Sequence, residues 1–465
     1  MANEGTEAQH HERTPMPRSG SVAFLLAGMG DHYAGMGRGL YETEHVFRRA
    51  VDHCASVLEP ALGTDVRAVL YPGDARKPPP SEGPSGLNLR AMLQRAPRDP
   101  SADRLNHTRV AHAAMFVTEY ALAALWMSRG VRPRAMIGHS LGEFVAATIA
   151  GVFRLDEVLR LIAERSRLIE LMPAGAMLAL PLSEIDVRPI LPPDVVVAAA
   201  NSPASTVIAG PLSSIDAMEA LLSQHGSVFR RLPVHYASHS PMMAAAAADI
   251  EGLLRGMTLL PPDVPFISNV SGTWITDSEA TDPGYWANHV VAPVRFADGV
   301  LELMRSNTDT LLEIGPGATL GTFARQCAAA AGLSEPAVVQ SLAHAFERDA
   351  DPDVLADASR RLESIMPAQS ARVEASTAAQ VLIVGMWCEV LGLRTIGVHD
   401  DFFHLGGSSL TAMRMLALVR DVFEVELPLR VMFQRRTVAG LAEAIEEAIV
   451  MEVALLSDDE AESRM

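Results

Sequence analysis

At 465 residues, with 49% hydrophobic and 20% charged side chains, the chain is too long for one compact core and suits two or three domains of roughly 100 to 200 residues each. A formal charge of −18 argues against a duplex nucleic-acid partner, which needs basic side chains to displace counterions from phosphates. No apolar run approaches the roughly 18 residues of a membrane span, and Cys54, Cys327 and Cys388 have the spacing of neither a disulfide framework nor a metal site. The expectation is a protein of the reducing cytoplasm, without a membrane, nucleic-acid or metal partner.

Residues 1–20 are polar and rich in Pro, Gly and Glu, and are expected to be a disordered leader. From Ser21 the text alternates short apolar runs (SVAFLLAG, RAMIGHS) with stretches at helical spacing, the pattern of an α/β protein with a parallel sheet. Between Tyr71 and Asp103 it loosens into a Pro-, Ser- and Gly-rich surface insertion with one short helix near Leu89. Residues 175–234 read AMLAL, SEIDVRPIL, VVVAAA, TVIAG, SSIDAMEALLSQH and VFRRLPV, which is βαββαβ, a ferredoxin-like unit inserted into a larger domain spanning 21–365. ISNVSG and TLLEIGP supply further strands, and a helix over Asp351 to Ile365 closes the domain. A small, polar linker is expected at 366–378. Three amphipathic helices (QVLIVGMWCEVLGL, LTAMRMLALVRDVF, VAGLAEAIEEAI) then make a small helical bundle at 379–449, ahead of an acidic tail at 450–465.

Gly138-His139-Ser140-Leu141-Gly142 follows an apolar strand and opens a helix. A G-x-S-x-G at such a turn is a nucleophile elbow, with the serine oxygen at the helix N-terminus, where the N–H of Leu141 can stabilise charge on an attacked carbonyl. Serine needs a base, and His239 follows the last strand of the inserted unit, over the cleft between the two subdomains. By position alone, one surface histidine among 15 is the better account of it.

Eight ordered motifs decide between these accounts: GMGDHYAGMG at Gly28, NHTRVAHAAMF at Asn106, GHSLGE at Gly138, ERSRLI at Glu164, NSPASTVIAG at Asn201, YASHSP at Tyr236, NHVVAPVRF at Asn288 and EIGPG at Glu313. Over residues 21–365 the chain resembles the malonyl-CoA:carrier-protein acyltransferase family, including the acyltransferase domains of polyketide and hybrid synthases. The resemblance implies a hydrolase-like parallel-sheet core and a Ser140–His239 dyad. His239 would be held by the backbone carbonyl of His289, and the oxyanion hole formed by the N–H groups of Met29 and Leu141. Arg165 would grip the free carboxylate of the substrate, with His112, Asn201 and Tyr236 as further substrate contacts. The chain departs from the family at Met29 and His32 in the first glycine-rich turn, and at His112, where relatives have glutamine. YASH is associated with methylmalonyl units and an aliphatic residue after the serine with malonyl. Leu141 projects toward the pocket and favours malonyl, with a substituted malonyl unit as the alternative.

The second domain carries Asp400 to Leu410, DDFFHLGGSSL, which resembles the phosphopantetheine attachment site of acyl and peptidyl carrier proteins. That resemblance places 4'-phosphopantetheine on Ser409, at a helix start that favours its phosphodiester. The helix beyond shows Arg414 and Arg420 rather than a row of acids. The implied activity moves a malonyl-type acyl group from coenzyme A through an acyl-serine to a carrier thiol. The implied partners are the acyl-CoA, a phosphopantetheinyl transferase, and polyketide or peptide synthase modules or carriers. An editing acyl-carrier hydrolase and a degenerate docking scaffold are the alternatives.

Overall fold

The computed structural model describes residues 22–72, 105, 107–306, 308–345, 350–365, 377–391, 396–399, 402 and 409–454. The expected leader, the Pro-rich stretch from residue 73 with its helix near Leu89, the linker up to residue 376 and the tail from residue 455 lie outside the described residues. In chain order the strands are β1 (Val22–Leu26), β2 (Ala135–Gly138), β3 (Gly175–Leu180), β4 (Val196–Ser202), β5 (Ser205–Pro211), β6 (Arg230–Arg231), β7 (Phe266–Ile267), β8 (Thr310–Pro316) and β9 (Ala337–Leu342).

Five of them form a parallel sheet in the order β7-β2-β1-β8-β9, with β1 and β2 in register from Ala23↔Ala135 to Leu26↔Gly138. Every residue of β1 is buried because both faces of the sheet are covered: Val22, Phe24 and Leu26 join one core, Ala23 and Leu25 the other. The helices α1 (His45–Leu62), α2 (Thr108–Ser128), α3 (Leu141–Ile149) and α4 (Leu155–Glu170) contribute to the first of these cores. By length and composition alone α2 is apolar enough to cross a membrane, contrary to the expectation that no segment approaches this. With 83% of its apolar window buried inside the fold, it is a core helix.

The inserted unit is a four-stranded antiparallel sheet in the order β4-β5-β3-β6, the ferredoxin-like arrangement of βαββαβ. The period of two sorts its residues. Ala176, Leu178 and Leu180 pack with Ile215, Met218 and Leu222 of α5 (Leu212–Gln224), while Met177 and Ala199 face the core shared with the parallel sheet. Beyond it come α6 (Pro283–Asn288), α7 (Thr319–Ala331) and the closing helix α8 (Asp351–Ile365).

The second unit has its own core. α9 (Ala378–Leu391), α10 (Ser409–Phe423), α11 (Arg430–Gln434) and α12 (Val438–Ala454) surround Trp387, whose ring meets Phe402 edge-on at 4.9 Å. The bundle thus gains a helix that the sequence reading omits, since five residues are too few to show a 3.6-residue period. α12 runs past the expected end at 449.

Candidate active site

The parallel sheet presents its functional residues at the C-terminal ends of β1 and β2, where loops leave adjacent strands and a crevice opens. Ser140 is the N-cap of α3 with φ 52° and ψ −114°, a left-handed value that a non-glycine residue adopts only under restraint. The close turn demands Gly138 and Gly142: a Cβ on Gly138 would lie 2.1 Å from the Glu143 nitrogen, and one on Gly142 2.3 Å from the Leu26 oxygen.

The restraint on Ser140 comes from Asn269, just beyond β7. Its Oδ1 accepts the Ser140 N–H at 2.6 Å and its Nδ2 donates to the Gly138 carbonyl at 2.7 Å, spanning the elbow from both sides. Asn269 is itself held by Glu143, whose Oε2 accepts the Asn269 N–H at 2.8 Å. The buried Glu143 carboxylate also receives the Tyr285 hydroxyl and, at 3.1 Å, His289 Nε2.

Ser140 Oγ lies 2.7 Å from Nε2 of His239, whose Nδ1 donates to a backbone carbonyl at 2.9 Å. That bond fixes the tautomer: Nδ1 carries the proton and Nε2 offers its lone pair to the serine. The carbonyl is Ala292's, not that of His289. The turn after α6 closes with the N–H groups of Val291 and Ala292 on the Asn288 carbonyl, which carries the Ala292 carbonyl toward the base and turns His289 inward to Glu143. His289 still adjoins His239, the two rings meeting edge-on with centres 5.9 Å apart. Burial first, then the neighbouring His289, push the His239 pKa down to about 3, with Arg165 and His139 adding to the effect.

A cavity of about 280 Å³ opens on the dyad, lined by Met29, His32, His112, Arg165, Asn201 and Tyr236 among others. The N–H groups of Met29 and Leu141 take part in no hydrogen bond among the described residues, and both residues border this cavity. Arg165 is 2% exposed, its guanidinium carbon 5.4 Å from the Phe144 ring centre, and no carboxylate of the described residues pairs with it. Burial lowers its pKa to about 10, which leaves it charged at neutral pH. Its neighbour Arg167, by contrast, forms a surface pair with Glu164. Asn201 accepts from His139 Nε2 at 2.8 Å, and the Tyr236 hydroxyl donates to the Glu170 carbonyl at 3.0 Å.

The sequence reading therefore names the dyad and the pocket residues but misses Asn269, Glu143, Tyr285 and Ala292. Glu143 stands in GHSLGE, where it reads as part of a helix opening, and Asn269 in ISNVSG, where it reads as part of a strand. Ser409 begins α10, while Asp400, Asp401 and residues 403–408 of its motif lie outside the described residues.

The family model described as acyl transferase domain matches residues 23–363, and that described as phosphopantetheine attachment site matches residues 381–445. A phenolphthiocerol/phthiocerol polyketide synthase component of Mycobacterium tuberculosis is 35% identical over 315 residues, 68% of this chain and 19% of that protein. Streptomyces orinoci's spectinabilin polyketide synthase system protein NorB is 33% identical over 324 residues, 69% of this chain and 14% of that protein. The chain thus spans less than a fifth of the length of these relatives. Among solved structures, the acyl transferase domain of SpnD in complex with 2-(pent-4-yn-1-yl)malonyl superposes with a TM-score of 0.66 at 41% identity, covering 76% of this chain and 78% of that one. The acyl transferase domain of ZmaA gives 0.62 at 29% identity, covering 74% and 75%.

Proposed function

The chain belongs to the acyl transferase domain family and carries a phosphopantetheine attachment site, and from that premise we propose that it moves a malonyl-type acyl group from coenzyme A, through an ester on Ser140, to a carrier thiol. The observation that carries the substrate class is Arg165: a buried guanidinium on the pocket wall without a carboxylate partner suits an acyl group that brings its own. Malonyl is the unit preferred, with a substituted malonyl as the alternative. The acyl transferase unit is assigned to residues 21–365, with 175–234 as its insert, and the carrier to 379–449.

Ser140 Oγ attacks the thioester carbonyl as its proton passes to His239 Nε2, and the Met29 and Leu141 amides receive the developing oxyanion. The C–S bond then breaks, and His239 returns the proton to the departing coenzyme A sulfur. When bound to Ser409, phosphopantetheine supplies the thiol that accepts the acyl group. The first residue of a 15-residue helix fits that attachment, because the free N–H groups of a helix start favour a phosphodiester. In the return half-reaction His239 takes the thiol proton and delivers it to Ser140 Oγ as the ester C–O bond breaks. A phosphopantetheinyl transferase would load Ser409, and polyketide or peptide synthase modules in the cytoplasm would receive the product.

Intact mass spectrometry of the pantetheinylated chain, incubated with malonyl-, methylmalonyl- and acetyl-CoA together, tests this. Malonyl is expected on both serine and arm in wild type, on Ser140 alone in Ser409→Ala, and nowhere in Ser140→Ala. Release of free acid without transfer would point to an editing hydrolase, and a chain that never acylates to a scaffold.

A further inference from the structure

Strand pairing at the edge of the insert sends two neighbouring arginines to opposite faces. Arg231 stands across from Leu178, whose side of β3 packs against α5, and there it meets Asp216 at 2.6 Å and Glu219 at 2.8 Å. Arg230 stands across from Ala179 and so points the other way, onto the cavity that both residues line. It is exposed, and its side chain makes no ion pair or hydrogen bond among the described residues. The described wall of the cavity carries two arginines, Arg165 and Arg230, and no lysine. Its carboxylates are engaged elsewhere: Glu313 accepts the N–H groups of Leu320 and Gly321, each at 2.9 Å, and Asp31 accepts the Thr319 hydroxyl at 2.5 Å. Much of the remaining wall is apolar, with Val207, Leu232, Val234 and Phe323.

We infer that Arg230 binds the 4'-phosphate at the far end of the pantetheine arm, in coenzyme A during acylation of Ser140 and in the carrier-borne arm during the return, a role that rests on the acyl-serine reading above. A malonyl thioester carries charge at both ends of an uncharged pantetheine: a carboxylate on the acyl group and a phosphate beyond the arm. Arg165 answers the first from inside the cavity, and Arg230 the second from its exposed rim. Coenzyme A and the carrier arm are identical up to that phosphate and differ only past it, so one guanidinium placed there serves donor and acceptor alike. Its planar fork suits a phosphate ester, and because water reaches the contact, its strength depends on salt.

The test is acylation of Ser140 in the full chain, quenched and read by intact mass, with malonyl-CoA, malonyl-4'-phosphopantetheine and malonyl-pantetheine, the last of which has no phosphate. At low salt Arg230→Ala should raise KM for the first two esters alike, by about three- to tenfold, with kcat kept and the third ester unmoved. Arg230→Lys, which keeps the charge without the fork, should recover most of the loss. The wild-type KM for malonyl-CoA should rise with ionic strength, and more steeply than that of Arg230→Ala. Arg231→Ala removes the same charge from the opposite face and should leave all three esters as in wild type. A loss in Arg230→Ala shared by malonyl-pantetheine, or seen with no ester, overturns the role. A loss confined to malonyl-CoA also overturns it, by assigning Arg230 to the phosphates on the nucleotide side, and an equal effect of Arg231→Ala replaces the contact with a general field. If no ester acylates Ser140, the acyl-serine reading falls and this role with it; acylation with all KM values unmoved in Arg230→Ala removes this role alone.

Discussion

Burial takes His239 out of water, and the imidazolium loses far more by this than the neutral ring. With the pKa lowered from 6.5 to about 3, the proposed base is unprotonated at neutral pH, and acidification reaches it late. The rate of Ser140 acylation, followed against pH, should keep its plateau well below pH 6.5. A half-fall at or above 6.5 would contradict the burial. The same shift makes a stability statement. Above the unfolded pKa of 6.5 neither state binds the proton, and between 6.5 and about 3 the unfolded chain takes it up while the native chain does not. Stability therefore drains away as pH falls through that window, and thermal melts of the full chain should show a Tm that declines below about pH 6.5.

Among elements, the elbow between β2 and α3 is held in its left-handed turn by a side chain from a third segment. Asn269→Ala leaves the part-buried Ser140 N–H and the buried Gly138 carbonyl without this partner, at about 1 to 3 kcal/mol for the buried carbonyl and less for the N–H. The expected result is a tenfold or greater loss in the rate constant for acylation, about 1.4 kcal/mol per decade, with the KM for malonyl-CoA little changed; a loss confined to KM would count against the clamp. This clamp was not legible in the sequence. The strand-turn-helix pattern around GHSLG announces an elbow locally, but Asn269 reaches it across 129 residues, and no local pattern records such a contact. The same limit separates Ala292 from His289: a motif locates the turn, and only the backbone path selects the carbonyl.

At the scale of the whole molecule, the cores around the parallel sheet and the core around Trp387 share no residue. Trp387→Ala should cost the carrier unit about 3 to 5 kcal/mol, enough to unfold a small bundle. Acylation of Ser140 should persist while pantetheinylation is lost, as paired mass shifts would record; a joint loss would mean that the two units fold as one. Both units were legible in advance through their apolar text, a short run such as AMLAL for β3 and apolar positions three and four apart in α9 and α12. The short α11 carries no such period.

His239 leaves the inserted unit in sequence, yet its ring and backbone are anchored to the turn after α6, through Ala292 and Val290. Met177, Ala199, Asn201, Val207 and Leu232 line the pocket from the insert, while the dyad belongs to the larger domain. The pocket wall is thus split, with Arg165 and the dyad on the larger domain and an apolar flank on the insert. An insert transplanted from a relative, between Gly175 and Val234, would reshape that flank while leaving Ser140, His239 and Arg165 in place, so a lineage, or an engineer, could vary the bulk of the building block by recombining that cassette without touching the carboxylate grip.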